Sequence, residues 1–366
     1  MDQHRNIALD GLRGIAILLV VIHHGLPDIT MSTRAAEWIK KLLHGGWIGV
    51  DLFFVLSGYL ITSILIREKQ TSQQFFRNFY ARRVLRIWPP YLLCICLILG
   101  WTWAVNPNGL LFRQQLYLWF HAVNIGMYII PEAFQGNVLG VSHMWSLAVE
   151  EHFYLLWPVL VYRLSTARLL QVAYVLVCLA LCLRLVGVSM GQPPFYFVQT
   201  FCRLDALSCG GILAILRTQG VLHSLNGAAR VVAVISAAMG LIFLVVKKGF
   251  WAWDPIMFSF GLTVVYVFFA AMFIMVLNGA AAELLSNKML RSFGKFSYGW
   301  YLLDGMLRPF IDASMAKIGL GEAALSPELW SLTALMVRAM VPLALAWIMF
   351  TAIESPFLRL KSRFAG

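Results

Sequence analysis

The chain is poor in charge, with Asp, Glu, Lys and Arg making up 13% of its 366 residues, and poorest in acid, with 17 Asp and Glu against 29 Lys and Arg. So little charge excludes the solvated surface of an ordinary soluble domain, where about a quarter of residues are charged. No low-complexity tract, long polar linker or motif-level repeat is present, which excludes a disordered tail and a solenoid. The six cysteines, Cys94, Cys96, Cys178, Cys182, Cys202 and Cys209, lie in apolar stretches without metal-type spacing against His. They read as small buried residues, so neither a disulfide framework nor a metal is expected. The first apolar run has charges inside it and no small-residue cleavage site after it, so it reads as a retained span and not a signal peptide.

What is present is apolar sequence, with 60% hydrophobic residues and a mean hydropathy of +0.76. The fold class expected is an all-α polytopic transmembrane bundle of about ten helices, with spans near 7–26, 48–66, 88–105, 144–162, 169–187, 201–217, 228–246, 255–277, 296–311 and 332–353. With both termini cytoplasmic, the inner segments hold Arg67, Lys69, Arg77, Arg82, Arg83, Arg86, Arg163, Arg168, Lys288, Arg291, Lys295, Arg359, Lys361 and Arg363, while Lys40, Lys41, Lys247 and Lys248 are outer exceptions. This positive-inside pattern accounts for the net charge of +12 and removes most of the case for nucleic acid. Residues 116–130 read either as an eleventh span or as a re-entrant segment. An extra span would invert every later loop, so a partly buried outer or re-entrant segment is expected. Residues 1–366 read as one membrane domain. Only Glu354 to Gly366 follow the last span, so no appended soluble catalytic domain is expected and any chemistry falls inside the bundle.

Ionisable residues within apolar runs are costly and mark functional paths by default. In LDGLRGIAILLVVIHH, from Leu9 to His24, helical geometry returns Arg13 and His24 to one face, about 16 Å apart along the axis. Asp10 can pair with Arg13 as an i, i+3 neighbour, and His23 falls about 80° away. A neutral imidazole at His24 suits a general base or a transient group carrier. In GVDLFFVLSGYLIT, Ser57 and Gly58 read first as helix-packing residues, whereas Asp51 is a candidate site residue or an ion-pair anchor. In FFRNFYARRVLRIWPPY, Arg82, Arg83 and Arg86 cluster within about 100° on a helix, followed by a span starting at Pro89 and Pro90. Such a cluster suits phosphates, and equally an anionic-lipid anchor. In SHMWSLAVEEHFYLLWP, His143 and Glu150 share a face, and the adjacent carboxylates Glu150 and Glu151 are hard to justify by packing alone. Glu150 reads as an active-site carboxylate that orients a histidine, or as one half of a buried ion pair. Arg203 with Asp205, and Asp304 with Arg308, read as structural pairs.

Together with RLDALSCGGILA, GKFSYGWYLL and the closing ESPF, these motifs resemble the acyltransferase family 3 of integral membrane proteins, which O-acylate glycans and related acceptors. They follow one another in family order to about residue 357. The resemblance implies about ten helices, an acyl-CoA donor, acetyl-CoA in particular, on the cytoplasmic side, and an acceptor hydroxyl often on the far side. Arg13 and His24 match the family's signature spacing, Glu150 looks like its recurrent glutamate, and Arg82, Arg83 and Arg86 look like its donor-binding arginines. One departure stands out: many members carry a histidine after SYxxYL, where this chain has Asp304.

The expected function is therefore a multi-pass O-acyltransferase of the bacterial cytoplasmic (inner) membrane. Its acceptor would be a glycan, a lipid-linked sugar or a related cell-envelope hydroxyl, with membrane lipids as partners, no nucleic acid and no metal. His24, Arg13 and Glu150 would be catalytic, Arg82, Arg83 and Arg86 would hold the donor, and Asp10, Asp51, His143 and Glu151 would support them, with Glu150 or Asp10 orienting His24. The alternatives are a proton-coupled carrier, although no inverted repeat is visible, and a sensor or assembly protein whose arginines bind lipid only.

Overall fold

A computed structural model describes residues 3–134, 140–321 and 324–364. Ten long helices follow in order: α1 Gln3–Gly25, α2 Gly49–Thr71, α3 Phe75–Val105, α4 Trp145–Arg163, α5 Thr166–Ser189, α6 Thr200–Thr218, α7 Asn226–Lys247, α8 Leu262–Leu277, α9 Lys288–Lys317 and α10 Pro327–Met349. Among the described residues there is no strand. Eight helical segments are long and apolar enough to cross a membrane. The long helices outside that set are α4, which carries Glu150 and Glu151, and α9, which carries Lys295, Asp304 and Arg308. These are the helices whose polar side chains dilute an otherwise apolar face.

Residues 110–134 form four short helices, of which Val123–Ile129 is the longest at 7 residues. At about 1.5 Å per residue none can span a bilayer, so 116–130 is not an additional span. The reading of Pro89 and Pro90 as the start of a separate helix is corrected, because both lie inside the continuous 31-residue α3. Proline removes one ladder donor without forcing a break where neighbours take up the slack. The Tyr298 hydroxyl of α9 donates to the Ile87 carbonyl at 3.0 Å and ties the two helices together just before the prolines, whose missing donors belong to the Leu85 and Arg86 carbonyls.

Close backbone contact sets the arrangement of the interior. A Cβ on Gly14 would lie 2.1 Å from the Leu290 carbonyl oxygen, and one on Gly294 would lie 1.9 Å from that of Asp10. Gly11 meets Leu285 in the same way. Gly294 lies beside Asp10 and, further along both helices, Asp304 lies beside His24, so α1 and α9 run in parallel. The pair α2 and α6 is built alike, with Gly58 against the Leu207 carbonyl and Gly210 against that of Val55. Small residues allow such approach where lipid removes the usual hydrophobic drive between helices. On the far side from the start of α1, an amphipathic helix, Arg34–His44, is N-capped by Thr33, whose hydroxyl accepts from the Ala36 amide. A short turn through Gly45–Ile48 then leads into α2. The outer faces of α7 and α5 present Val231, Val234, Ile242, Val246 and Val175 to lipid.

Gly58→Val should destabilise the protein by about 1–3 kcal/mol, because its Cβ would push two backbones apart. Gly227→Ala, where a Cβ meets nothing within 4 Å, should leave stability unchanged or slightly raised. Thermal unfolding in detergent measures both.

Candidate active site

Three neighbouring cavities follow α1 through the bundle. On the side where α1 starts, a vestibule of about 500 Å³ is lined by Asp10, Arg13, Arg86, Lys288, Arg291, Lys295 and Glu354. It adjoins a narrow cavity of about 100 Å³, with which it shares Arg13, Arg86 and Tyr298. The narrow cavity carries Arg83, Glu150, Glu151, Ser57 and Ser297 beside the apolar Phe53, Phe54 and Leu60. The third cavity, about 750 Å³ on the far side, meets the second at Val50 and Tyr301 and is lined by His23, His24, His44 and His143 among aromatic rings.

Each polar side chain owes its place to a helix. Arg13 reaches Asp10 Oδ1 at 3.3 Å, one turn earlier on α1, which steers the guanidinium into the vestibule. Arg83 lies over the rings of Phe79 and Tyr154, at 5.7 and 5.4 Å. Glu150 accepts from the Ser57 hydroxyl at 3.0 Å and from Tyr154 at 2.6 Å, so Ser57 does more than allow packing. At the second boundary the Tyr301 hydroxyl donates to the His143 carbonyl at 2.8 Å and lies 2.6 Å from the Ser146 hydroxyl. These contacts make a hydrogen-bonded partition between the narrow and far cavities.

His24 stands on the far cavity, with Nδ1 2.5 Å from Oδ2 of the buried Asp304. A carboxylate accepts from Nδ1–H, and in the neutral ring the lone pair then lies on Nε2. The expected orienters of His24 are thereby replaced: Glu150 is held by Ser57 and Tyr154, Asp10 by Arg13, and Asp304 takes the imidazole. The departure noted at Asp304 is the residue that completes the pair. His143 and Glu150 do share α4 and the turn before it, yet they open onto different cavities. His23 also faces the far cavity and donates from Nδ1 to the His44 carbonyl at 2.6 Å.

Other expected residues lie elsewhere. Arg82 pairs with Glu68 and donates to the Phe364 carbonyl, fastening the C-terminal turn to α3. It lines none of these cavities, because successive arginines on a helix point about 100° apart. Asp51 pairs with Arg203 at 2.8 Å, both nearly fully buried, and so takes the ion-pair reading. The Arg203–Asp205 pairing is corrected as well. Residues two apart on a helix face away from each other, and Asp205 instead meets Arg184, which also donates to the Cys202 and Ser259 carbonyls. Arg308 pairs with Asp312 at 4.0 Å and leaves Asp304 to His24. Sequence reasoning missed the roles of Tyr301, Ser146 and His44, and the vestibule cations Lys288, Arg291 and Lys295. The only signal for the last three was a positive-inside cluster, which also marks plain anchoring.

The bundle is a multi-helix membrane fold in which buried arginines and a histidine–carboxylate pair line cavities along one helix. A model described as the acyltransferase domain (acyltransferase 3) matches residues 6–353, and the chain belongs to that family. It is 31% identical over 327 residues to O-acetyltransferase OatA of Staphylococcus aureus strain NCTC 8325, covering 83% of this chain and 51% of that protein. It is 29% identical over 379 residues to "Putative peptidoglycan O-acetyltransferase YrhL" of Bacillus subtilis strain 168, covering 97% of this chain and 55% of that protein. The chain thus spans about half the length of the curated relatives it matches. No solved structure matches it.

Asp51→Ala should cost about 3–5 kcal/mol by leaving the Arg203 guanidinium buried and uncompensated, and replacing both partners with apolar residues of similar size should recover most of the loss. Denaturation of the single and double variants in detergent checks this.

Proposed function

We propose that the chain transfers an acetyl group from acyl-CoA, entering from the cytoplasm at the vestibule, to a hydroxyl of a cell-wall glycan on the outside of the bacterial cytoplasmic membrane. The observation that carries this reading is the placing of a cationic vestibule and a histidine-lined far cavity on either side of one narrow cavity, with which each shares lining residues. Family membership and the O-acetyltransferase names of the relatives favour it over a carrier. All the chemistry of this reading falls within the one membrane domain.

The vestibule suits a polyphosphate end. Among the described residues Arg86, Lys288, Arg291 and Lys295 make no ion pair, and Arg291 Nε is a buried donor without a partner. Guanidinium and ammonium groups with spare donors are what phosphate oxygens seek. In this reading Arg86, Arg291 and the two lysines hold the phosphates, and Arg13, at the junction, meets the donor where its arm enters the narrow passage. Arg83 and the apolar walls of the narrow passage guide the intervening arm, and Arg82 serves as an anchor of the C-terminal turn.

His24 Nε2 takes the proton of the acceptor hydroxyl as its oxygen attacks the thioester carbonyl carbon. The carbon–sulfur bond breaks, and the thiolate leaves toward the vestibule and is protonated there. Asp304 holds the ring and stabilises the imidazolium that forms. Glu150, held by Ser57 and Tyr154, supplies negative charge beside Arg83 and Arg13 and keeps them directed into the passage.

In membranes supplied with labelled acetyl-CoA and a glycan acceptor, His24→Ala and Asp304→Asn should lower kcat by about 10²-fold or more. Arg86→Ala should raise the donor KM by about 10-fold, the loss of one charge-assisted hydrogen bond, while Arg82→Ala leaves that KM near the parent's. Parental activity in both His24→Ala and Arg13→Ala would refute the assignment.

A further inference from the structure

The helix Arg34–His44, between α1 and α2, has its polarity turned inside out. At about 100° per residue, Ala35, Trp38, Ile39 and Leu42 share one edge, and Glu37, Lys40, Lys41 and His44 share the opposite edge. On the surface of a soluble protein the apolar edge of such a helix turns to the core. Here the charged edge does. Lys40 is buried and donates from Nζ to the Ile29 carbonyl, with Glu37 3.4 Å away, and Glu37 also accepts from the Met31 amide at 3.1 Å. Lys41 comes within 3.9 Å of Glu37 and lies over the Trp38 ring. With His44, these three charged residues line a cavity of about 250 Å³ behind the helix. The apolar edge is left outside, with Ile39 58% and Leu42 55% exposed and Trp38 exposed beside them.

The position of the helix says what covers that edge. It follows the end of α1 at Gly25 and leads through Gly45–Ile48 into α2. Just before it, Ser32 donates from its amide and its hydroxyl to Glu328, at the start of α10, at 2.7 and 2.9 Å. The helix therefore lies at the level where three membrane helices end or begin. Leu329 and Leu332, in the first turns of α10, are exposed as well, so the apolar edge continues the lipid-facing surface of the bundle. Four more exposed tryptophans mark the same end of the molecule: Trp251 and Trp253 in the loop that meets Trp47, and Trp101 and Trp103 on α3, where Trp101 packs on Phe310 of α9. Tryptophans gather at this depth, where hydrocarbon meets water.

We propose that the helix Arg34–His44 is an interfacial membrane anchor, with Trp38, Ile39 and Leu42 set among the acyl chains of the leaflet at the far end of α1. Its partner is the apolar part of the lipid and not an anionic headgroup. A basic amphipathic helix turns its lysines to the headgroups, whereas Lys40 and Lys41 turn to Glu37 and the cavity behind it. That cavity shares His44, Phe250 and Trp251 with the far cavity, so the anchored helix is the wall that parts lipid from the polar interior at this end. The inference does not rest on acyl transfer.

The test reads what touches the apolar edge. The full chain, with the exposed Cys96, Cys178 and Cys182 replaced by Ala, carries Ile39→Cys labelled with a nitrobenzoxadiazole fluorophore, one copy per phosphatidylcholine nanodisc. Ile39 is exposed, so the substitution is compatible with folding, and the same chain without it gives the background. Ile242→Cys, on the lipid face of α7, is the hydrocarbon standard. For an edge set about 5–10 Å into the lipid, doxyl groups on the acyl chains should quench the label at least about threefold more than aqueous iodide does. Replacing part of the lipid with phosphatidylglycerol should leave that ratio unchanged. Iodide quenching equal to or above doxyl quenching overturns the proposal, as does doxyl quenching that appears only with phosphatidylglycerol. Shielding from both quenchers also overturns it, because protein and not lipid would then cover the edge; shielding confined to discs holding two copies would assign the edge to a second copy of the chain.

Discussion

The position of the whole site depends on how closely α1 and α9 approach. At Gly14 and Gly294 the space that a Cβ would need is filled by a backbone carbonyl of the other helix, and at Gly11 by that of Leu285 just before α9. Because the two helices run in parallel, that contact is carried along their length, and it brings His24 against Asp304 and Tyr298 against α3. A membrane offers little hydrophobic reward for pressing helices together, so the contact must be made by shape and dispersion between small residues. Gly46 and Gly49 extend the same principle to the start of α2, where they meet the Leu19 and Ala16 carbonyls and bring His44 beside His23.

Charge in this protein falls into two kinds. Arg203 with Asp51, Arg184 with Asp205, and Arg82 with Glu68 are ion pairs that link α2, α5, α6 and α3 and line none of the three cavities. Arg203 is further enclosed by the rings of Phe54, Trp145 and Phe197. Such pairs do little for net stability yet are costly to break singly, which makes them markers of register. Arg86, Lys288, Arg291 and Lys295 are of the other kind, half-buried or exposed cations gathered around the vestibule and, among the described residues, in no ion pair. Telling the kinds apart needs the third dimension, since both look alike in an apolar sequence.

That difference also measures how far the sequence could be read. The positions of the ten helices were legible because a span needs about twenty apolar residues, and the face shared by Arg13 and His24 followed from helical rotation alone. The fate of 116–130 was legible through charge bias, since one more span would have inverted the loops. Partners across helices were not legible. Asp304 lies 280 residues from His24, and nothing local in SYGWYLLDG distinguishes a carboxylate that meets a histidine from one that pairs with Arg308. Arg82, Arg83 and Arg86 formed one cluster in sequence, and a single turn of helix sent Arg82 to Glu68 and its neighbours to the cavities.

The contrast between a basic vestibule and an aromatic, imidazole-lined far cavity would give the proposed path a direction. In that reading a polyanion that enters among the arginines and lysines finds, beyond Tyr301, a cavity whose described lining holds no Lys or Arg to replace its water. The spent carrier would then leave by the door through which it came, while the small neutral group it delivered continued outward. The proposed reaction would make the fold a one-way turnstile, passing two carbons while holding back the nucleotide.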